Sequence, residues 1–123
     1  MRVIEESKTR ELWQRVNDLV WAAGGYLYMC GYWTDRVIAL ESGVEAAQNL
    51  EDKYDEGSHL GNLGSAYSNL GQIEKAMVYY EKALAISREI GDRENEGCWL
   101  GNIGLTYVNL GQIEKAMVYY EKA

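Results

Sequence analysis

An all-α fold is what this sequence predicts, built as an αα-superhelix of stacked antiparallel helix pairs. Three observations predict it. A stretch of sequence repeats itself forty residues later. Within each copy the apolar residues recur at spacings of three and four, the helical period, and strand-like alternation is missing. Proline is absent from all 123 residues, so no ring forces a helix to break.

The repeat is plain to the eye. NLGQIEKAMVYYEKA at Asn69–Ala83 recurs unchanged at Asn109–Ala123. Extended upstream, Gly57–Ala83 and Gly97–Ala123 differ at six places only: Ser58/Cys98, His59/Trp99, Leu63/Ile103, Ser65/Leu105, Ala66/Thr106 and Ser68/Val108. A worn third copy lies forty residues further back, with Gly24 under Gly64, Gly31 under Gly71, Val20 under Leu60 and Leu40 under Tyr80. The chain therefore divides into a leader with the start of the first helix (1–16), a degenerate repeat 1 (17–56), repeat 2 (57–96) and repeat 3 (97–123).

Each repeat reads as two helices. In repeat 2, Leu60, Leu63, Gly64, Tyr67 and Leu70 form the apolar stripe of the first, and Gly71 ends it. Ile73, Ala76, Met77, Tyr80, Leu84 and Ile90 form the stripe of the second, and Gly91 closes it. Asp92 is placed to cap the helix that follows. The small residues Gly64 and Ala76 let two backbones approach, with Tyr67 and Tyr80 filling the space beside them. One such pair cannot bury its faces alone, so the pairs must stack.

Composition narrows the function. Twelve basic against nineteen acidic side chains give a net charge of −7, the wrong sign for a nucleic-acid binder. One His and two Cys cannot build a four-ligand Cys/His zinc site, so no metal or other cofactor is expected. No secretory signal pattern opens the chain. The apolar uncharged run Leu19–Thr34 is too short for a comfortable membrane span. Cys30 and Cys98 stand alone and far apart, which suits a reducing, cytoplasmic compartment. No phosphate loop and no nucleophile, base or metal constellation can be assembled, so an enzyme is not expected.

Certain residues carry a family resemblance: Leu63-Gly64, Tyr67, Leu70-Gly71, Ala76, Tyr80 and Ala83, then Ile103-Gly104, Tyr107, Leu110-Gly111, Ala116, Tyr120 and Ala123. The pattern resembles the tetratricopeptide repeat, strongly over 57–123 and weakly over 17–56. The common unit of that family has about 34 residues. The forty-residue unit here is similar to those of kinesin light chain, of the spindle-orientation adaptors with a Leu-Gly-Asn signature, and of microbial signalling ATPases with C-terminal repeats. Repeat 1 departs from the pattern, with Arg36 in the place of Ala76 and Leu27 in the place of Tyr67.

In such a stack the first helices line the concave side. The stripe left over from packing reads Ser58, Asn62, Ser65, Asn69 in repeat 2 and Cys98, Asn102, Leu105, Asn109 in repeat 3. The aligned residues of repeat 1 are Asp18, Ala22, Gly25 and Met29. Asparagine competes for backbone bonds in mid-helix, yet it offers both donor and acceptor to a partner's peptide bond. The resemblance implies that Asn62 and Asn102 contact the main chain of an extended peptide. The candidate groove is thus Asn62, Ser65, Asn69, Asn102, Leu105 and Asn109, with Val108 and Met29 adding apolar contact. The carboxylate clamp of chaperone-binding members is not expected, because Ser65 and Leu105 replace its Asn and no Lys lies on either first helix of the matching units.

Two readings of function follow. One is a protein–protein interaction module, part of a larger scaffold or signalling protein, that holds an extended peptide or a partner helix. The other is the regulatory arm of a multidomain signalling ATPase. In that case the aromatic residues Trp13, Trp21, Tyr26, Tyr28, Tyr32 and Trp33 meet a preceding domain; otherwise they cover the bare side of the first repeat. His59 reads as a surface or half-buried side chain and Cys98 as a small apolar one. The Glu74-Lys75 and Glu81-Lys82 runs and their copies read as a solvated outer face. Ala123 falls inside what should be a second helix, which predicts a fragment whose apolar end (Leu110, Met117, Tyr120) drives homo-oligomer formation.

Overall fold

A computed structural model describes residues 2–123, with side chains from residue 6 onward. Six helices follow one another: α1 (Arg2–Met29), α2 (Trp33–Asn49), α3 (Lys53–Asn69), α4 (Ile73–Ile90), α5 (Arg93–Asn109) and α6 (Ile113–Lys122). Each packs against its neighbours in sequence, giving three antiparallel hairpins in a row. The leader is continuous with the first helix, so α1 runs through residue 16 without a break. The forty-residue borders at 57 and 97 fall inside α3 and α5.

The turns repeat at half the sequence period. A left-handed residue stands at Gly31, Glu51, Gly71, Gly91 and Gly111, with φ of 72°, 55°, 77°, 70° and 76°. In each turn the next residue's N–H reaches back five positions, as in Gln72 N to Tyr67 O at 2.9 Å and Asp92 N to Ser87 O at 2.8 Å. This is the Schellman closure, which satisfies carbonyls that the helix end would otherwise orphan. Asp52 and Asp92 then cap α3 and α5, their carboxylates accepting from the N–H groups of Asp55 (3.0 Å) and Asn95 (3.2 Å). Glu51 is the one non-glycine residue in the left-handed set among the described residues.

The core runs along the seam of each hairpin and between hairpins. Leu63, Tyr67, Ala76, Tyr80 and Leu84 are buried, as the helical stripes predict, and Ala66 and Ala83 are buried with them. Leu70 and Ile90 are not: both border a turn, beyond the reach of the facing helix, and stay partly in water. Gly64 is required by packing. A Cβ there would stand 2.7 Å from the Tyr80 ring. Gly104 repeats the arrangement with Tyr120 at 3.0 Å. Tyr67 stacks on Tyr79 (5.3 Å between centroids) and Tyr107 on Tyr119 (5.4 Å), so the two repeats present like surroundings.

A residue from each hairpin is seated in the one before. His59 on α3 lies fully buried against Val20, Gly43 and, at 4.8 Å between rings, Trp21. Forty residues later Trp99 on α5 lies directly on Gly61, beside Tyr80. The sizes compensate. A bulky Trp21 in the seat goes with the smaller imidazole, and a bare Gly61 goes with the indole.

Candidate functional site

The first helices carry the residues singled out for binding. Asn62, Ser65 and Asn102 are half-buried, and Asn69, Leu105 and Asn109 are exposed. None of the four asparagine side chains makes a hydrogen bond among the described residues, so their amides are free to meet a partner. Leu105, Val108 and Met29 are exposed apolar residues at the matching positions. Ser58 departs from the expected stripe, being buried with 6% of its surface exposed. Cys98 at the equivalent place is exposed, and neither it nor Cys30 forms a disulfide.

Other expectations are corrected by packing. His59 is neither superficial nor half-buried. Its Nε2 lies 2.7 Å from Asn17 Oδ1, and Asn17 donates in turn to Asp55 Oδ2 at 2.7 Å. That chain sets the tautomer: Nε2 carries the proton and Nδ1 is left as a bare acceptor, buried without a partner. Burial pulls the imidazole below its ordinary pKa, with the charges of Asp55 and Asp52 working the other way. The lysines of the outer face do more than dissolve in water. Lys75 and Lys82 lie over the rings of Tyr67 and Tyr79, and Lys115 and Lys122 over those of Tyr107 and Tyr119, at 5.2–5.6 Å. Tyr67 also donates to Glu41 at 3.3 Å; burial first, then Glu41 and Tyr79, push its phenol pKa up.

Two cavities flank α3. The larger, about 510 Å³, lies between α2 and α4 and mixes Glu41, Glu56, Lys53 and Lys82 with apolar walls. Glu56 there is already satisfied by Gln48 at 3.2 Å and Lys53 at 3.6 Å. The smaller, about 240 Å³, opens inside the first hairpin and is also lined by Gly25 and Asn62. Arg36 lines it, 8% exposed, its Nε and Nη1 buried and unbonded. The sequence signal for it was Arg36 standing where the other repeats have alanine; its consequence depends on Leu40 and Gly24, which only the fold brings beside it.

The family model described as Tetratricopeptide repeat matches residues 44–123, well over half of the sequence. The chain belongs to the tetratricopeptide repeat family. Tetratricopeptide repeats serve in general as non-catalytic protein–protein interaction modules. The fold agrees: the chain is similar to the crystal structure of the TPR domain of Arabidopsis FLU, with a TM-score of 0.82 and 23% identity. The match covers 89% of this chain and 92% of that one. No curated protein matches the sequence. Among the described residues no helix of these repeats is long and apolar enough to cross a membrane. No cluster of three or more His, Cys, Asp or Glu gathers there to hold a metal ion.

Proposed function

We propose that this chain binds an extended peptide or a partner helix of another protein along its first-helix face. Asn62 and Asn102 hold the partner's main chain, Ser65, Asn69 and Asn109 add polar contact, and Leu105 takes an apolar side chain. The observation that carries this reading is the pair of half-buried, unbonded asparagine amides at the same place in successive repeats. An amide in that state has donor and acceptor to spare and little freedom to lose. The two free thiols fit a reducing, cytoplasmic setting. The forty-residue repeat supports a place in a scaffold or signalling protein of the kind that the resemblance named.

The test starts from a peptide selected for binding by display. The double variant Asn62→Ala/Asn102→Ala should weaken it by about 1 kcal/mol for each hydrogen bond lost, read by calorimetry. Equal affinity for both proteins removes the asparagine ladder. Self-association through the exposed side chains of Leu110, Met117 and Tyr120 is part of the same reading. A strictly monomeric mass by light scattering at high concentration removes that part.

The exposed rings of Trp21, Tyr26, Tyr28 and Tyr32 favour a second reading, the regulatory arm of a signalling ATPase. Those rings would then lose accessibility in the parent protein, as oxidative footprinting can register.

A further inference from the structure

The cavity of the first hairpin exists because two repeat positions differ there together, beside a glycine that both hairpins share. In the second hairpin Gly64 is filled by the Tyr80 ring and Ala76 stays small. The aligned residues of the first are Gly24, Leu40 and Arg36. Leucine is too short to fill the space, so a Cβ built at Gly24 or Gly25 meets nothing within 4 Å. Into that space, from the alanine slot, comes an arginine.

This arginine lacks what a buried guanidinium needs. It makes no hydrogen bond and no ion pair among the described residues, and its Nε and Nη1 are shut away from water. The Tyr28 ring lies 5.2 Å from the guanidinium carbon. Such a cation–π contact returns only a part of the cost of desolvating a cation. Arginine stays protonated even so, and it is the only full positive charge lining the cavity, since burial holds His59 neutral. Trp21 and Tyr28 are both partly exposed at the rim. The place is therefore an apolar, aromatic-walled recess with one unmatched cation.

We propose that this cavity is a binding site for a single carboxylate, held by Arg36 between Trp21, Tyr28 and Asn62. A carboxylate matches the guanidinium in shape and charge. A phosphate dianion would bring two negative charges to one cation in a chain that is already acidic overall. The site differs from a clamp of first-helix lysines and asparagines, because its cation comes from the second helix and lies inside one hairpin. It does not rest on the asparagine ladder: acetate can bind here whether or not a peptide main chain meets Asn62 and Asn102.

The test is a heteronuclear NMR titration of the whole chain at constant physiological chloride. The probes are sodium acetate, inorganic phosphate, and end-blocked tripeptides with a central glutamate or glutamine. Acetate should shift the Arg36 Nε–H and Trp21 Nε1–H resonances saturably. If the glutamate peptide does the same and the glutamine peptide does not, the carboxylate can come from a partner's side chain. If acetate alone does so, the ligand is a free small carboxylate. Arg36→Ala, which restores the residue of Ala76 and Ala116, should weaken the acetate effect on Trp21 by about tenfold or more. Unmoved Arg36 and Trp21 resonances overturn the proposal. So does an Arg36→Ala protein that binds acetate equally well, or phosphate binding more tightly than acetate. Should the variant not fold, the native titration decides alone.

Discussion

A buried imidazole makes the second hairpin sensitive to acid. His59 is neutral inside the protein and its folded pKa lies below the ordinary value of about 6.5. Above that value both folded and unfolded chains carry a neutral ring and the penalty is absent. As pH falls below it, the unfolded chain binds the proton first, and stability declines until pH passes the folded pKa. The unfolding free energy from urea titrations between pH 7 and pH 5.5 should therefore fall with pH, by up to about 1.4 kcal/mol per pH unit. His59→Gln should flatten that slope; an unchanged slope would place the titration elsewhere. Nothing in the sequence marked His59 as internal, because its aligned partner is a tryptophan. Its burial depends on Trp21 and Gly43, which lie far away along the chain. The half-buried placement of Asn62 and Asn102, by contrast, follows from their position beside the packing stripe.

At the scale of the element, the helices and their ends were the most legible part. Gly31, Gly71, Gly91 and Gly111 each stand where the backbone turns left-handed, the conformation that glycine adopts at no steric cost. Glu51 holds the same conformation with a Cβ and a negative charge at a helix C-terminus, where the dipole disfavours it. Glu51→Gly should raise stability by about 1 kcal/mol, measured by urea unfolding. The inner glycines of the first helices divide differently. Gly61 carries the Trp99 ring, so Gly61→Ala should destabilise by about 1–3 kcal/mol despite the better helix propensity of alanine. Gly101, forty residues on, has nothing within 4 Å of its missing Cβ. Gly101→Ala should stabilise by about 0.5–1 kcal/mol. Two chemically identical changes at aligned positions are thus expected to have opposite signs. Periodicity locates both glycines but cannot tell them apart, since the difference comes from what the next hairpin puts on top.

Across the whole molecule, stability is a sum of hairpins and of the contacts between successive ones. Trp99 is the largest side chain at the contact between the second and third hairpins. Trp99→Ala should cost about 3–5 kcal/mol. The loss should be local. In native-state hydrogen exchange, amides of α5 and α6 should open well before those of α3 and α4. A uniform loss across all six helices would instead mean a single cooperative unit. The stacked architecture was legible from the forty-residue offset alone. The first hairpin's cavity was not, because the changes at residues 36 and 40 are each unremarkable until the fold brings them together beside Gly24.

The seating of one ring per hairpin also gives the stack a direction. The second and third hairpins each insert a ring, His59 or Trp99, into the hairpin before, so copies of the Trp99-bearing unit join head to tail. Gly101 presents a vacant recess of the Gly61 kind. A synthetic array made by appending copies of the Trp99-bearing segment should therefore elongate in one direction as a screw of constant hand, like monomers adding to a polar filament.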